Sequence, residues 1–143
     1  MILLDTNVVS ELMKRDPNPS VLVWLDKHSG NDIFTSAITK AEIELGIALL
    51  PDGKRRDTIV AAANIMFTQD FAHRVLSFDE VAAGFYAKLV AYRTGIGRPI
   101  SVEDAQIAAI AIRYGLVLAT RNVKDFLGIT GIVVIDPWLS SHN

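Results

Sequence analysis

At 143 residues the chain is long enough to bury a core without covalent staples, and it reads as one domain spanning 1–143. Half of the residues are apolar and 21% are charged, which excludes a chain too polar to collapse; the lack of cysteine excludes a disulfide framework, a thiolate metal site and a cysteine nucleophile. Fourteen Lys and Arg against sixteen Asp and Glu leave a net charge of −2, so a polyanionic partner would need a local basic patch or a bound cation.

In chain order, Ile2 to Leu4 predict a short buried strand and Val8 to Met13 a short helix that ends near Pro17-Asn18-Pro19. Ser20 starts a helix in which Val21, Trp24 and Leu25 share a face, and Gly30-Asn31-Asp32 closes it before a second strand, Ile33-Phe34-Thr35. Residues 38 to 50 predict a helix, Pro51-Asp52-Gly53 a turn, Lys54 to about Phe71 another helix, and Arg74-Val75-Leu76 a third strand. Asp79 fits the N-cap of a long helix through Tyr92, and Gly95 to Pro99 form a loop. Ser101 starts a helix that is apolar nearly all round over 105 to 114, Gly115 stops it, and Leu116–Ala119 and Ile132–Ile135 are strands separated by a turn around Asn122 to Gly131. Strands alternating with helices predict an α/β fold with a parallel sheet covered on both faces. The chain opens without the basic segment and apolar core of a signal peptide, and no apolar run nears the roughly 20 residues that span a bilayer, so a cytoplasmic protein with no membrane contact is expected.

In open parallel sheets the ligand site lies beyond the carboxyl ends of the strands. Asp5 stands at such an end, and so do Thr120, Arg121 and Asn122, with Asp125 a turn later. Glu42 falls after Thr39, and Asp104 after Ser101, each at the spacing of a capping box, so either acid could serve only to satisfy exposed amides. Asp5 could likewise be only an N-cap. For Asp104 the following Ile107, Ala108 and Ala111 place the carboxylate atop an apolar stripe, where an exposed cap would use Glu103. Gly46, one turn beyond Glu42, leaves room for a ligand or another backbone, although tight packing would also account for it. Carboxylates converging in a partly apolar cleft need compensation, and hard oxygen donors without cysteine or paired histidines point to Mg²⁺ or Mn²⁺. His28, His73 and His142 are too scattered to form a ligand set and are expected at solvated surface positions.

The segments MILLDTNVVSE, SAITKAEIELG, SVEDAQIAAIA and LATRNVKDF, in this order and spacing and with a closing VIDPW, resemble the PIN-domain ribonucleases, most closely the VapC and FitB-like toxins of bacterial toxin-antitoxin pairs. The resemblance covers almost the whole chain and implies a three-layer α/β/α sandwich with a short parallel sheet, Mg²⁺-dependent cutting of RNA, and a cognate antitoxin that silences the enzyme. Asp5, Glu42 and Asp104 match three of the family's acids. The fourth falls at Asn122, a departure from the aspartate of many relatives; Asn122 would orient water or offer its carbonyl oxygen to a metal, and Asp125 would either compensate or merely hold its loop. Thr6 and Thr120 match hydroxyls that orient carboxylates and water. The resemblance further implies that Asp5 and Asp104 hold the metal while Glu42 positions water or a second ion. Arg121, Lys124 and Lys40 are candidates to guide the RNA backbone, or simply solvated charges. A homodimer, or a higher assembly with the antitoxin, is expected, with DNA contacted only through the antitoxin.

Two rivals have other chemistry. A haloacid-dehalogenase-type phosphotransferase also places an aspartate after its first strand, but its motif needs a second aspartate where this chain has Asn7. A regulatory α/β binding domain would use the acids only as caps. Phosphate-loop and dinucleotide patterns fail, because the glycines miss the required spacing.

Overall fold

The computed structural model describes residues 1–139. Three apolar, buried residues form β1 (Ile2–Leu4), and the strand then gives way to α1 (Thr6–Leu12). This helix begins two residues earlier than the apolar pattern suggested, because Asp5 in extended conformation caps it and accepts from the Thr6 amide. Asn18 caps α2 (Pro19–Asp26), with Pro19 in the first turn where its missing amide costs nothing. A 3₁₀ turn at Gly30–Asp32 leads into β2 (Ile33–Ser36), followed by α3 (Ala37–Ala48) and α4 (Lys54–Ile65). The predicted helix to Phe71 divides here: the α-helix stops at Ile65 and continues as a π-helical turn over Met66–Asp70. Then come β3 (Val75–Leu76), α5 (Glu80–Gly95, capped by Asp79), α6 (Val102–Tyr114, capped by Ser101), β4 (Val117–Ala119) and β5 (Val134–Ile135). Gly115 ends α6 at φ 66°, a left-handed conformation that glycine adopts without strain. Leu116, Ile132 and Val133, expected in strands, lie outside them, and the turn after Asn122 contains a 3₁₀ segment at Val123–Phe126.

All strands pair in parallel in the order β3-β2-β1-β4-β5, with Ile2 opposite both Ile33 and Val117, and Leu4 opposite Ala119. Alternation sends Ile2 and Leu4 to one face and Leu3 to the other, so a three-residue strand serves two cores. On the first face Val8, Val9, Val21, Trp24, Met66, Phe67 and Phe71 pack together; on the second, Leu89 and the Ala105–Ala111 run of α6 close over Leu3 and Leu118. Helix α3 reaches both, with Ile43 and Ile47 in the first cluster and Ile38 against the second. Helices on both faces of a parallel sheet make the α/β architecture expected from the alternation of elements. Among the described residues, no helix is long and apolar enough to cross a membrane.

The chain runs outward from β1 through β2 to β3, then returns to β4 on the other side of β1. The topology therefore reverses between β1 and β4, and a crevice opens beyond their carboxyl ends. Asp5 follows the first of these strands and Thr120 the second.

Candidate functional site

Asp5 is 3% exposed and lies at the head of this crevice, its amide bonded to the Ala119 carbonyl at 2.9 Å. Its Oδ1 accepts from the Thr6 amide at 2.8 Å; its Oδ2 accepts from the Thr120 hydroxyl at 2.7 Å and from Asn7 Nδ2 at 3.4 Å. Thr120 spends its proton on Asp5 and accepts from Asn7 Nδ2 and the Asn122 amide, each at 3.1 Å. Asn7 in turn accepts from the Arg121 amide at 3.2 Å, so one side chain clips the ends of β1 and β4 together. In the sequence alone, position 7 reads only as a missing aspartate. Its amide is committed to positioning Asp5 and Thr120, and the recognisable signal was an amide side chain two residues past an acid at a strand end.

A second relay runs from α3. Thr6 donates its hydroxyl to Glu42 Oε1 at 2.8 Å, which makes the Thr39 hydroxyl, 3.0 Å from Thr6 Oγ1, the donor to Thr6. The capping-box expectation for Glu42 is corrected: Ser36 is the N-cap and accepts from the Thr39 amide at 3.1 Å, because β2 runs on to Ser36 and α3 starts at Ala37. Glu42 thus lies on the second turn and caps nothing. A Cβ built on Gly46 meets no atom within 4 Å, so tight packing does not account for that glycine. Gly46 lines an open groove of about 910 Å³ shared with Thr6, Glu42, Arg15 and Arg55.

Ser101 caps α6 by accepting from the Asp104 amide at 3.2 Å, and its side chain also lies against the Asp104 carboxylate, where it acts to lower that group's pKa. Ile107, Ala108 and Ala111 below it are fully buried, Asp104 is half-buried, and Glu103 is exposed. Burial, and then the charge of Asp5, push the Asp104 carboxyl above its usual range. Asp5 is also raised, chiefly by burial and further by Glu42 and Asp125, against the lowering hydrogen bonds from Thr120 and Thr6. Asn122 and Asp125 are both exposed on the turn after β4, and the Asp125 charge reaches both Asp5 and Asp104.

The acids predicted from sequence therefore gather at one sheet edge. None of Asp5, Glu42, Asp104 and Asp125 takes part in the ion pairs found among the described residues. Nor, among those residues, does any group of three or more His, Asp or Glu side chains stand close enough to hold an ion as it is. The donor chemistry fits a hard cation: carboxylate and hydroxyl oxygens, with Asp5 buried and its charge uncompensated. Of the basic candidates, Lys40 pairs with Glu44 at 2.5 Å, the Arg121 guanidinium lies 5.0 Å from the Trp138 ring centre, and Lys124 is exposed. The histidine expectation is corrected at His28, which is half-buried with its ring 5.0 Å from that of Trp24; His73 is exposed, and His142 lies outside the described residues.

A parallel α/β sheet with carboxylates at its switch point defines a protein with an acid-lined crevice at the sheet edge. The PIN domain model matches residues 2–128, and the chain belongs to the PIN-domain family. It is 44% identical to plasmid stability protein StbB of Pseudomonas syringae pv. tomato, with 96% of this chain and 99% of that protein covered. It is 41% identical to toxin FitB of Neisseria gonorrhoeae, again over 96% of this chain and 99% of the relative. VapC ribonuclease Y4jK of Sinorhizobium fredii is also 41% identical, over 96% of this chain and 98% of the relative. Among solved structures, that of FitAB bound to an IR36 DNA fragment superposes with a TM-score of 0.89 at 40% identity, covering 96% of each chain.

Proposed function

We propose that this chain is a metal-dependent endoribonuclease, the toxin of a toxin-antitoxin pair. The observation that carries the reading is the setting of Asp5: a carboxylate 3% exposed at the switch point, raised by burial and by neighbouring acids, with no cationic side chain among the described residues paired to it. A structural N-cap needs neither the burial nor the company of other carboxylates. Relatives named as a toxin and as a VapC ribonuclease support the same reading.

Asp5 and Asp104 would hold Mg²⁺, with Mn²⁺ able to substitute, and the exposed Glu42 would offer its remaining carboxylate oxygen to the ion or a water beside it. When bound, the ion supplies charge neutralisation at a phosphate oxygen and acidifies water. Thr6 fixes Glu42 through its hydroxyl, leaving the second carboxylate oxygen to take the proton of a water attacking in line. Thr120 and Asn7 keep Asp5 in one rotamer, so the cluster is oriented before RNA arrives. Asn122, exposed on the turn after β4 with its amide on the Thr120 hydroxyl, adds no charge there. In cells we place the protein in the cytoplasm, as a homodimer or a higher assembly with a cognate antitoxin covering the acid crevice, and in contact with DNA only through that antitoxin.

The test is cleavage of a structured RNA by purified, antitoxin-free protein with Mg²⁺ or Mn²⁺, with chelation and Asp5→Ala as controls. Cutting that stops under both conditions supports the reading; cutting that survives Asp5→Ala overturns it. Sedimentation at high concentration tests the dimer, and adding the antitoxin encoded beside the chain tests inhibition.

A further inference from the structure

Arg93, on the last turns of α5, is 5% exposed, yet no carboxylate pairs with it among the described residues. Its donors go to backbone instead: Nε to the Arg98 carbonyl at 2.7 Å, and Nη1 to the carbonyls of Asp125 at 2.9 Å and Leu127 at 3.4 Å. Burying a guanidinium is costly unless its donors are met, and its rigid fork dictates where the acceptors must stand.

Those acceptors come from two segments that each support a site acid. Arg98 lies in the loop just before Ser101, the cap of the helix that carries Asp104, and its amide bonds back to the Arg93 carbonyl at 2.9 Å. Asp125 and Leu127 belong to the turn after β4. The front of that turn is tied by the Asn122 amide to Thr120, which holds Asp5, and Phe126 anchors its middle at 1% exposure. Arg93 ties its back. The Asp125 carboxylate is exposed at this turn, and its charge is felt by both Asp5 and Asp104.

We propose that Arg93 is a positioning residue of the acid cluster: its buried guanidinium fixes the turn Val123–Phe126 against the loop before α6, so that Asp125 is held beside Asp5 and Asp104. The functional consequence rests on the metal-dependent nuclease reading; the mechanical one does not.

The test compares the full chain as wild type, Arg93→Met, Arg93→Lys, Asp125→Asn and the Arg93→Met/Asp125→Asn pair. In metal-free protein, amide exchange over residues 98–101 and 122–127 should quicken about tenfold in both Arg93 variants, with α2 to α4 unchanged. Lysine should fail to rescue, because a single ammonium does not reproduce the fork. Mn²⁺ affinity by calorimetry should fall about tenfold in Arg93→Met, and kcat on RNA by about a hundredfold. Once Asp125 is already Asn, the added loss from Arg93→Met should be less than a third of that. Wild-type exchange in the turn, or full additivity with Asp125→Asn, would overturn the proposal. If Arg93→Met does not fold, Arg93→Lys decides by the same readouts. A wild-type protein that neither binds Mn²⁺ nor cuts RNA would defeat the nuclease reading instead, leaving the exchange data to judge Arg93.

Discussion

Thr120 donates its hydroxyl to Asp5 Oδ2 at 2.7 Å across a separation of 115 residues, at the point where two adjacent parallel strands release the chain. The bond opposes the effect of burial and keeps the Asp5 carboxyl from rising further. Thr120→Val should raise it, so protons compete with metal over a wider pH range. Mn²⁺ affinity is expected to fall on the order of tenfold at pH 6 and by less at pH 8. Equal losses at both pH values would show that the hydroxyl acts only through packing.

Asp5 also links stability to pH. Its folded carboxyl lies above its unfolded value, so the native state binds the extra proton; stability from this group is present below the unfolded pKa and lost as pH rises through the folded one. Metal-free Asp5→Asn should therefore be more stable than wild type at pH 7, by on the order of 1 kcal/mol or roughly 2–4 °C in Tm. The gain should vanish under acid, and thermal melts from pH 3 to 8 would reveal it.

Glu11 should behave in the opposite sense. This buried acid accepts from Lys14 Nζ and from the Asn18 amide, each at 2.9 Å, and these bonds hold its carboxyl below the usual range. Its stabilisation is present above the unfolded pKa and lost as pH falls through the folded one. Glu11→Gln is expected to lower Tm at pH 7 but not near pH 3, in the same melts.

Capping and chemistry separate on α3. Ser36→Ala should cost about 1 kcal/mol of stability in urea titrations. Glu42→Ala, which removes no cap, should stay within about 0.5 kcal/mol of wild type while RNA cutting drops by about a hundredfold. A Glu42→Ala protein that cuts normally would return this residue to the surface.

The last prediction concerns Asn122, which adds no charge beside the acids at the sheet edge. One ion should bind the free protein well and a second should come with the substrate phosphate. Asn122→Asp is expected to create a second Mn²⁺ site in calorimetry, whereas Asp125→Asn should weaken binding if that acid is a ligand. Two equally tight sites in wild type would refute the one-ion expectation.

Much of this architecture was legible in the sequence because it is written in local chemistry. Asp79, Ser101 and Gly115 mark helix ends by caps that act within a few residues, and the strands announce themselves as apolar runs before polar edges. For Glu42 the sequence leaves a cap open beside a site role, because Thr39 and Ser36 both suit an N-cap; only the end of β2 decides between them. The π-helical turn at Met66–Asp70 keeps a helical look in sequence, since five residues are too few to distinguish its period. Asn7 and Arg93 escaped because their partners lie on distant segments, and a pattern of neighbours carries no record of which carbonyl a side chain will meet.

The central place of β1 also orders events in time. This first strand must pair with β4, and Asp5 receives its Thr120 partner only after the chain has grown by a further 115 residues. Contacts of such long sequence separation form slowly and late. A nascent or truncated chain that stops just before β4 carries Asp5, Glu42 and Asp104 but not the strand that holds Asp5 in place. Synthesis would thus act as a delay, so that the acid cluster is aimed only once β4 has paired with β1.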